Sequence, residues 1–191
     1  MSDTNKRLVN LYLEANPNPN SLKFVANFML VEEGTSYDFP NIKAAEEAPL
    51  AEALFSFDFV ERVFYMNNFV TVTKSEGVEW LEIQDQLKTF IQGFLEEGKT
   101  VLKEAKSGLD INEDDPEVVK KIKGIMDEYI RPAVEQDGGA ITFSSFDEGI
   151  VKVNLQGACS GCPSSTITLK SGIENLLKRM LPHDVTSVEV A

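Results

Sequence analysis

The sequence predicts an α+β protein built as two small domains, and three observations carry that expectation. Apolar residues alternate with a period of two in some stretches and recur every three to four residues in others, so strands and helices both occur. A stretch rich in charge and glycine separates two such sets, running from Glu96-Glu97-Gly98 through Ser107-Gly108 to Asn112-Glu113-Asp114-Asp115 without an apolar period. The charge divides at the same place: residues 1–115 hold 10 basic and 21 acidic side chains, a net −11, and residues 116–191 hold 8 and 10, a net −2. The expected layout is a first domain over 1–98, an acidic linker over 99–115 and a second domain over 116–191.

In the first domain, Leu8 to Leu13 alternates and Leu22 to Val31 resumes the pattern after Asn16-Pro17-Asn18-Pro19-Asn20, whose prolines cannot donate to a ladder. Two strands around a loop follow from this. Pro49 opens a short helix through Leu50, Ala51, Ala53, Leu54 and Phe57. Val60 to Tyr65 and Phe69 to Thr73 flank Met66-Asn67-Asn68 as a hairpin. From Glu79, the residues Trp80, Ile83, Leu87, Phe90, Ile91, Phe94 and Leu95 recur at helical spacing and stop before Gly98. The predicted order is β-β-α-β-β-α.

The second domain opens with Asp115 as N-cap and Pro116 at the first helical position, leading the stripe Val118, Val119, Ile122, Ile125, Met126, Tyr129 and Ile130. Asp137-Gly138-Gly139 is a helix-to-strand turn that needs positive φ at glycine. Ile141 to Phe146 and Ile150 to Leu155 form a hairpin around Asp147-Glu148-Gly149. Pro163 starts a helix with the stripe Ile167, Leu169, Ile173, Leu176, Leu177 and Met180; Pro182 stops it, and Val185 to Val190 is a last strand. The predicted order is α-β-β-α-β.

Composition narrows the function. At 42% hydrophobic over 191 residues the chain has material for a packed core, and a net charge of −13 repels a phosphate backbone, which excludes nucleic acid as a partner. No apolar run reaches the roughly 18–20 residues of a membrane span, and Met1 to Lys6 leads into neither a signal-peptide hydrophobic region nor an Arg-rich transit segment. The expectation is a cytoplasmic, bacterial-type protein with no membrane partner. No acid–base pair, nucleophile beside a base, or phosphate loop occurs, so the chain is read as a non-enzyme.

The chemistry concentrates at the only two cysteines, Cys159 and Cys162, in Gly157-Ala158-Cys159-Ser160-Gly161-Cys162-Pro163. Two intervening residues let both sulfurs face one metal centre, and Gly161 lets the backbone turn. The coming helix N-terminus favours thiolate, by about 0.3–1 kcal/mol per nearby anion. Tetrahedral zinc and cubane clusters take four ligands, and the chain offers two Cys and one His. His183 lies beyond the far end of the helix and reads as a solvated loop residue. A symmetric dimer would supply four thiolates from two copies of Cys159 and Cys162. Structural zinc and a thiol–disulfide oxidoreductase are the alternatives; buried small hydrophobes are a bland third, set aside because Ser160-Gly161 and the proline suggest an exposed turn.

Ile130-Arg131-Pro132, Asp137-Gly138-Gly139 and the cysteine loop continuing through Ser164-Ser165, with Thr168-Leu169-Lys170 and Gly172-Ile173-Glu174, resemble the NifU C-terminal (Nfu) domain over residues 117–190. Pro17-Asn18-Pro19-Asn20-Ser21-Leu22-Lys23-Phe24, Pro49-Leu50-Ala51 with Leu54-Phe55, and Phe69-Val70-Thr71-Val72-Thr73-Lys74 are similar to the N-terminal domain that accompanies it. The resemblance implies an iron–sulfur cluster scaffold or carrier, with Cys159 and Cys162 as ligands of a 4Fe-4S cluster (2Fe-2S as the alternative) bridging a homodimer. It implies upstream assembly machinery as donor and apo-proteins as recipients, with zinc able to occupy the site after aerobic purification. Ala140 departs from the Asp or other polar residue common in the family after the two glycines.

Overall fold

The computed structural model describes residues 8–103, 114–160 and 163–191, without the side chains of 163–165. The chain divides into two compact units, Met1–Gly108 and Leu109–Ala191. The architecture is α+β in both.

The first unit carries strands β1 (Leu11–Ala15), β2 (Ser21–Ala26), β3 (Ser36–Phe39), β4 (Val60–Met66) and β5 (Phe69–Lys74), and helices α1 (Pro49–Leu54) and α2 (Trp80–Glu96). The strands form one antiparallel sheet in the order β1-β2-β5-β4-β3. The Asn-Pro loop between β1 and β2 is braced by its own side chains: the Asn18 N–H donates to Asn16 Oδ1 and the Asn20 N–H to Asn18 Oδ1, both at 3.0 Å. The Trp80 indole N–H closes it by donating to the Pro19 carbonyl at 3.0 Å. Trp80 is therefore half-buried at the edge of the core, while Ile83, Leu87, Ile91 and Leu95 of α2 supply the buried stripe. Asn67, at φ 48°, makes the tight β4–β5 turn.

Two features here differ from the sequence expectation. Strand β3 and the 3₁₀ turn Ile42–Ala45 are additional elements, so the order is β-β-β-α-β-β-α. The strand has only four residues, too few to display a period, yet Tyr37 and Phe39 alternate into the core and Phe39 meets Tyr65 edge-on at 5.0 Å between ring centroids. Val101 and Leu102, expected in the linker, pack on this unit's core, and the Lys103 N–H donates to the Glu47 carbonyl at 2.8 Å. Residues 104–113, the middle of the expected linker, lie outside the described residues.

The second unit runs α3 (Glu117–Ile125), a π-helical segment (Met126–Ile130), α4 (Arg131–Gln136), β6 (Gly139–Asp147), β7 (Ile150–Gly157), α5 (Pro163–Met180) and β8 (Ser187–Val190). β6 and β7 pair as an antiparallel hairpin whose turn uses positive φ at Glu148 and Gly149. β8 pairs parallel to β7. A parallel neighbour requires a crossover, and α5 is that crossover, which puts the cysteine loop where β7 ends and the helix begins.

The start of this unit also corrects two expectations. Pro116, at ψ 147°, is itself the N-cap of α3, and Asp115 stands one residue before it, paired with Lys123 at 2.6 Å. Tyr129, expected on the buried stripe, is 50% exposed. Pro132 lacks the N–H that would continue the i→i−4 ladder, and the chain passes it through one wider π turn that shifts the helical phase. Along α5, Ile173 and Leu177 are buried, whereas Ile167 is 67% exposed and Met180 also faces out. Among the described residues, no helix is long and apolar enough to cross a membrane.

Candidate functional site

β7 ends at Gly157, whose φ of 62° turns the chain out of the ladder. The Ala158 N–H then donates to the Gly138 carbonyl at 3.3 Å, and the Ser160 N–H to the Gly157 carbonyl at 3.1 Å. The loop is thus tied to the helix-to-strand turn some 20 residues upstream before it reaches Cys159. Gly138, at φ 79°, is the positive-φ residue the sequence called for at that turn.

Cys159 is 5% exposed and packs in the apolar cluster that includes Ile122, Val153, Ile173 and Leu177. Cys159 itself, expected on an exposed turn, is a member of the core. The reason is non-local. Gly139, first residue of β6 and cross-strand partner of Gly157, presents no side chain, and Cys159 occupies the room. A Cβ built on Gly139 would stand 2.8 Å from Cys159 Sγ and 2.5 Å from the Gln156 carbonyl oxygen. Ala140 is buried at 3% exposure, a place that suits a small apolar residue better than the polar one common in the family.

Cys162 and the side chains of Ser164 and Ser165 lie outside the described residues. His183 sits exposed after α5, as expected of a solvated loop residue. Gly139 is the residue that sequence reasoning passed over at this site. A signal existed: one positive-φ turn explains one glycine, and Gly138 already serves it.

Comparison with known proteins accounts for both units. The family model for the scaffold protein Nfu/NifU N terminal matches residues 11–98, and the NifU-like domain model matches residues 122–189. The chain belongs to the Nfu/NifU scaffold family. Among curated members, the mitochondrial NFU1 iron-sulfur cluster scaffold homolog of Drosophila willistoni is 43% identical over 186 residues, covering 96% of this chain and 64% of its own length. The Drosophila persimilis homolog is 41% identical over 191 residues, covering 99% of this chain and 67% of its own. The chain therefore spans about two thirds of the length of these relatives. A solution structure of a NifU-like protein from Saccharomyces cerevisiae is 25% identical and covers 55% of this chain and 91% of that one, with a TM-score of 0.47.

The same relatives overturn the cytoplasmic, bacterial-type expectation, because they are named as mitochondrial proteins. A compartment is addressed by a leader that receptors read, and the composition of folded domains carries no such address.

Proposed function

We propose that the chain carries an iron–sulfur cluster on Cys159 and Cys162, completes the ligand set with the same pair from a second copy, and passes the cluster to apo-proteins. The cluster is cargo, 4Fe-4S in our reading, received from upstream assembly machinery in the mitochondrion. The protein performs no turnover chemistry of its own. One observation carries this: the chain's two cysteines stand three apart at a strand-to-helix crossover, with Cys159 anchored there by β6 and β7. Two thiolates per chain cannot fill a cubane's four positions, so the ligand count itself calls for two chains. A cluster held across an interface is released by separating the subunits, which suits a carrier better than a permanent cage.

The test is anaerobic reconstitution with iron and sulfide, followed by size-exclusion chromatography with visible absorption and iron and sulfide assays. The expected product is a brown dimer with about four iron and four sulfide per two chains. A colourless monomer whose cysteines cycle through a disulfide would replace this reading with the oxidoreductase one, and a dimer that takes only zinc would replace it with a structural metal site.

A further inference from the structure

Glycine is usually explained by backbone freedom, and Gly139 is not. It lies in the ladder of β6, opposite Gly157, with no positive φ, in backbone that any residue adopts. Among the described glycines without positive φ, what sets it apart is space. A Cβ at Gly93, Gly124 or Gly172 would meet nothing within 4 Å, whereas at Gly139 it would meet the Gln156 carbonyl oxygen at 2.5 Å, Cys159 Sγ at 2.8 Å and the Cys159 nitrogen at 3.2 Å. The Gln156 carbonyl is backbone of β7, held in the ladder where Gln156 pairs with Ala140 of β6, so it yields less readily than a side chain does. The thiol rotates about one bond, so it is the group that a side chain here would displace.

We propose that Gly139 is a positioning residue for Cys159, its missing side chain forming the seat that holds the Sγ at the end of β7. The role in cluster binding rests on the carrier reading above; the seat itself does not. A ligand has to be held within about 0.5 Å of its productive place, and a partner that orients a metal ligand is typically worth 10–100-fold in affinity. Filling the seat leaves both cysteines in the chain and moves only where one of them points.

The experiment compares wild type, Gly139→Ala and Gly124→Ala as full-length apo-proteins. The rate of iodoacetamide alkylation at Cys159 and at Cys162 is resolved by mass spectrometry, with circular dichroism reporting the fold. The expected result is a several-fold faster reaction at Cys159 in Gly139→Ala, with Cys162 and the Gly124→Ala control as in wild type. After reconstitution, iron affinity should fall by about tenfold or more in Gly139→Ala alone. A folded Gly139→Ala chain with wild-type alkylation at Cys159 overturns the proposal.

Should Gly139→Ala fail to fold, the same substitution is made in a Cys159→Ala chain, where the sulfur's volume is vacant. Recovery of the fold there supports the seat. Equal failure in both backgrounds places the obstruction at the Gln156 carbonyl and overturns it. Wild type that takes up no cluster would remove the carrier reading while leaving the alkylation contrast to stand or fall separately.

Discussion

The two units invest their cores differently. The first packs a five-stranded sheet with α2 and fills the core with aromatic and aliphatic side chains, Phe24, Tyr37, Phe39 and Tyr65 among Leu50, Leu54, Leu87 and Ile91. The second has three strands and a buried core of aliphatic residues, Met126 and Cys159, with Phe143 and Phe146 only partly covered. In the first unit packing and chemistry are separate matters. In the second, the residue proposed to hold the cargo is also a packing residue, so the stability of the unit and the readiness of its site are linked.

The sharpest way to test that link is at the cysteines. In the proposed dimer Cys159→Ala or Cys162→Ala leaves two thiolates, and each should abolish stable cluster binding, read as iron per chain after desalting. In the apo-protein, Cys159→Ala also removes a buried group and should lower the denaturation midpoint through the cavity it leaves. A 4Fe-4S complement retained by either variant would count against the bridged site.

The next largest effects come from matched core truncations. Leu87 in α2 and Leu177 in α5 are both fully buried. Leu87→Ala and Leu177→Ala should each cost about 2–5 kcal/mol, measured by urea denaturation. The contrast lies in the cargo: Leu177→Ala loosens the cluster of side chains that contains Cys159 and should shed iron faster, while Leu87→Ala should hold it like wild type. Equal iron loss from both would erase the distinction between the units.

The smallest effect is electrostatic. Glu174 on α5 accepts from Lys178 Nζ at 2.6 Å and from the Val188 N–H of β8 at 3.0 Å, clamping the crossover helix to the strand after it. The Lys178 ammonium, and after it the Val188 N–H, hold the Glu174 carboxyl below its ordinary value. A lowered folded-state pKa gives stability that is present above the unfolded-chain value, about 4.3 for Glu, and is lost as pH falls through the folded one. Glu174→Gln should therefore be slightly less stable than wild type at pH 7, and the gap should close on acidification. A gap that stays constant into acid would show that the clamp owes nothing to the charge.

Periodic elements were legible from residues alone because their signal is local. The α2 stripe from Ile83 to Leu95, the Asn67 turn and the Glu148-Gly149 hairpin repeat or punctuate within a few positions. β3 was not legible: four residues hold barely two alternations, and only pairing with β4 makes them a strand. The outward turn of Tyr129 was hidden for another reason: it lies inside the π-helical segment Met126–Ile130, whose wider turn carries it off the stripe that Ile122, Ile125 and Met126 keep.

By itself the sequence determined the two-part α+β architecture, the separation of charge between its halves, and a pair of cysteines three positions apart. Those are properties of composition, short periods and arithmetic. Only the tertiary structure decided that Cys159 is buried, that Gly139 makes room for it and that Glu174 ties α5 to β8. Each of these depends on residues far apart in the chain approaching within a few ångströms, and contact at that range is set by how elements pack, which no local pattern records.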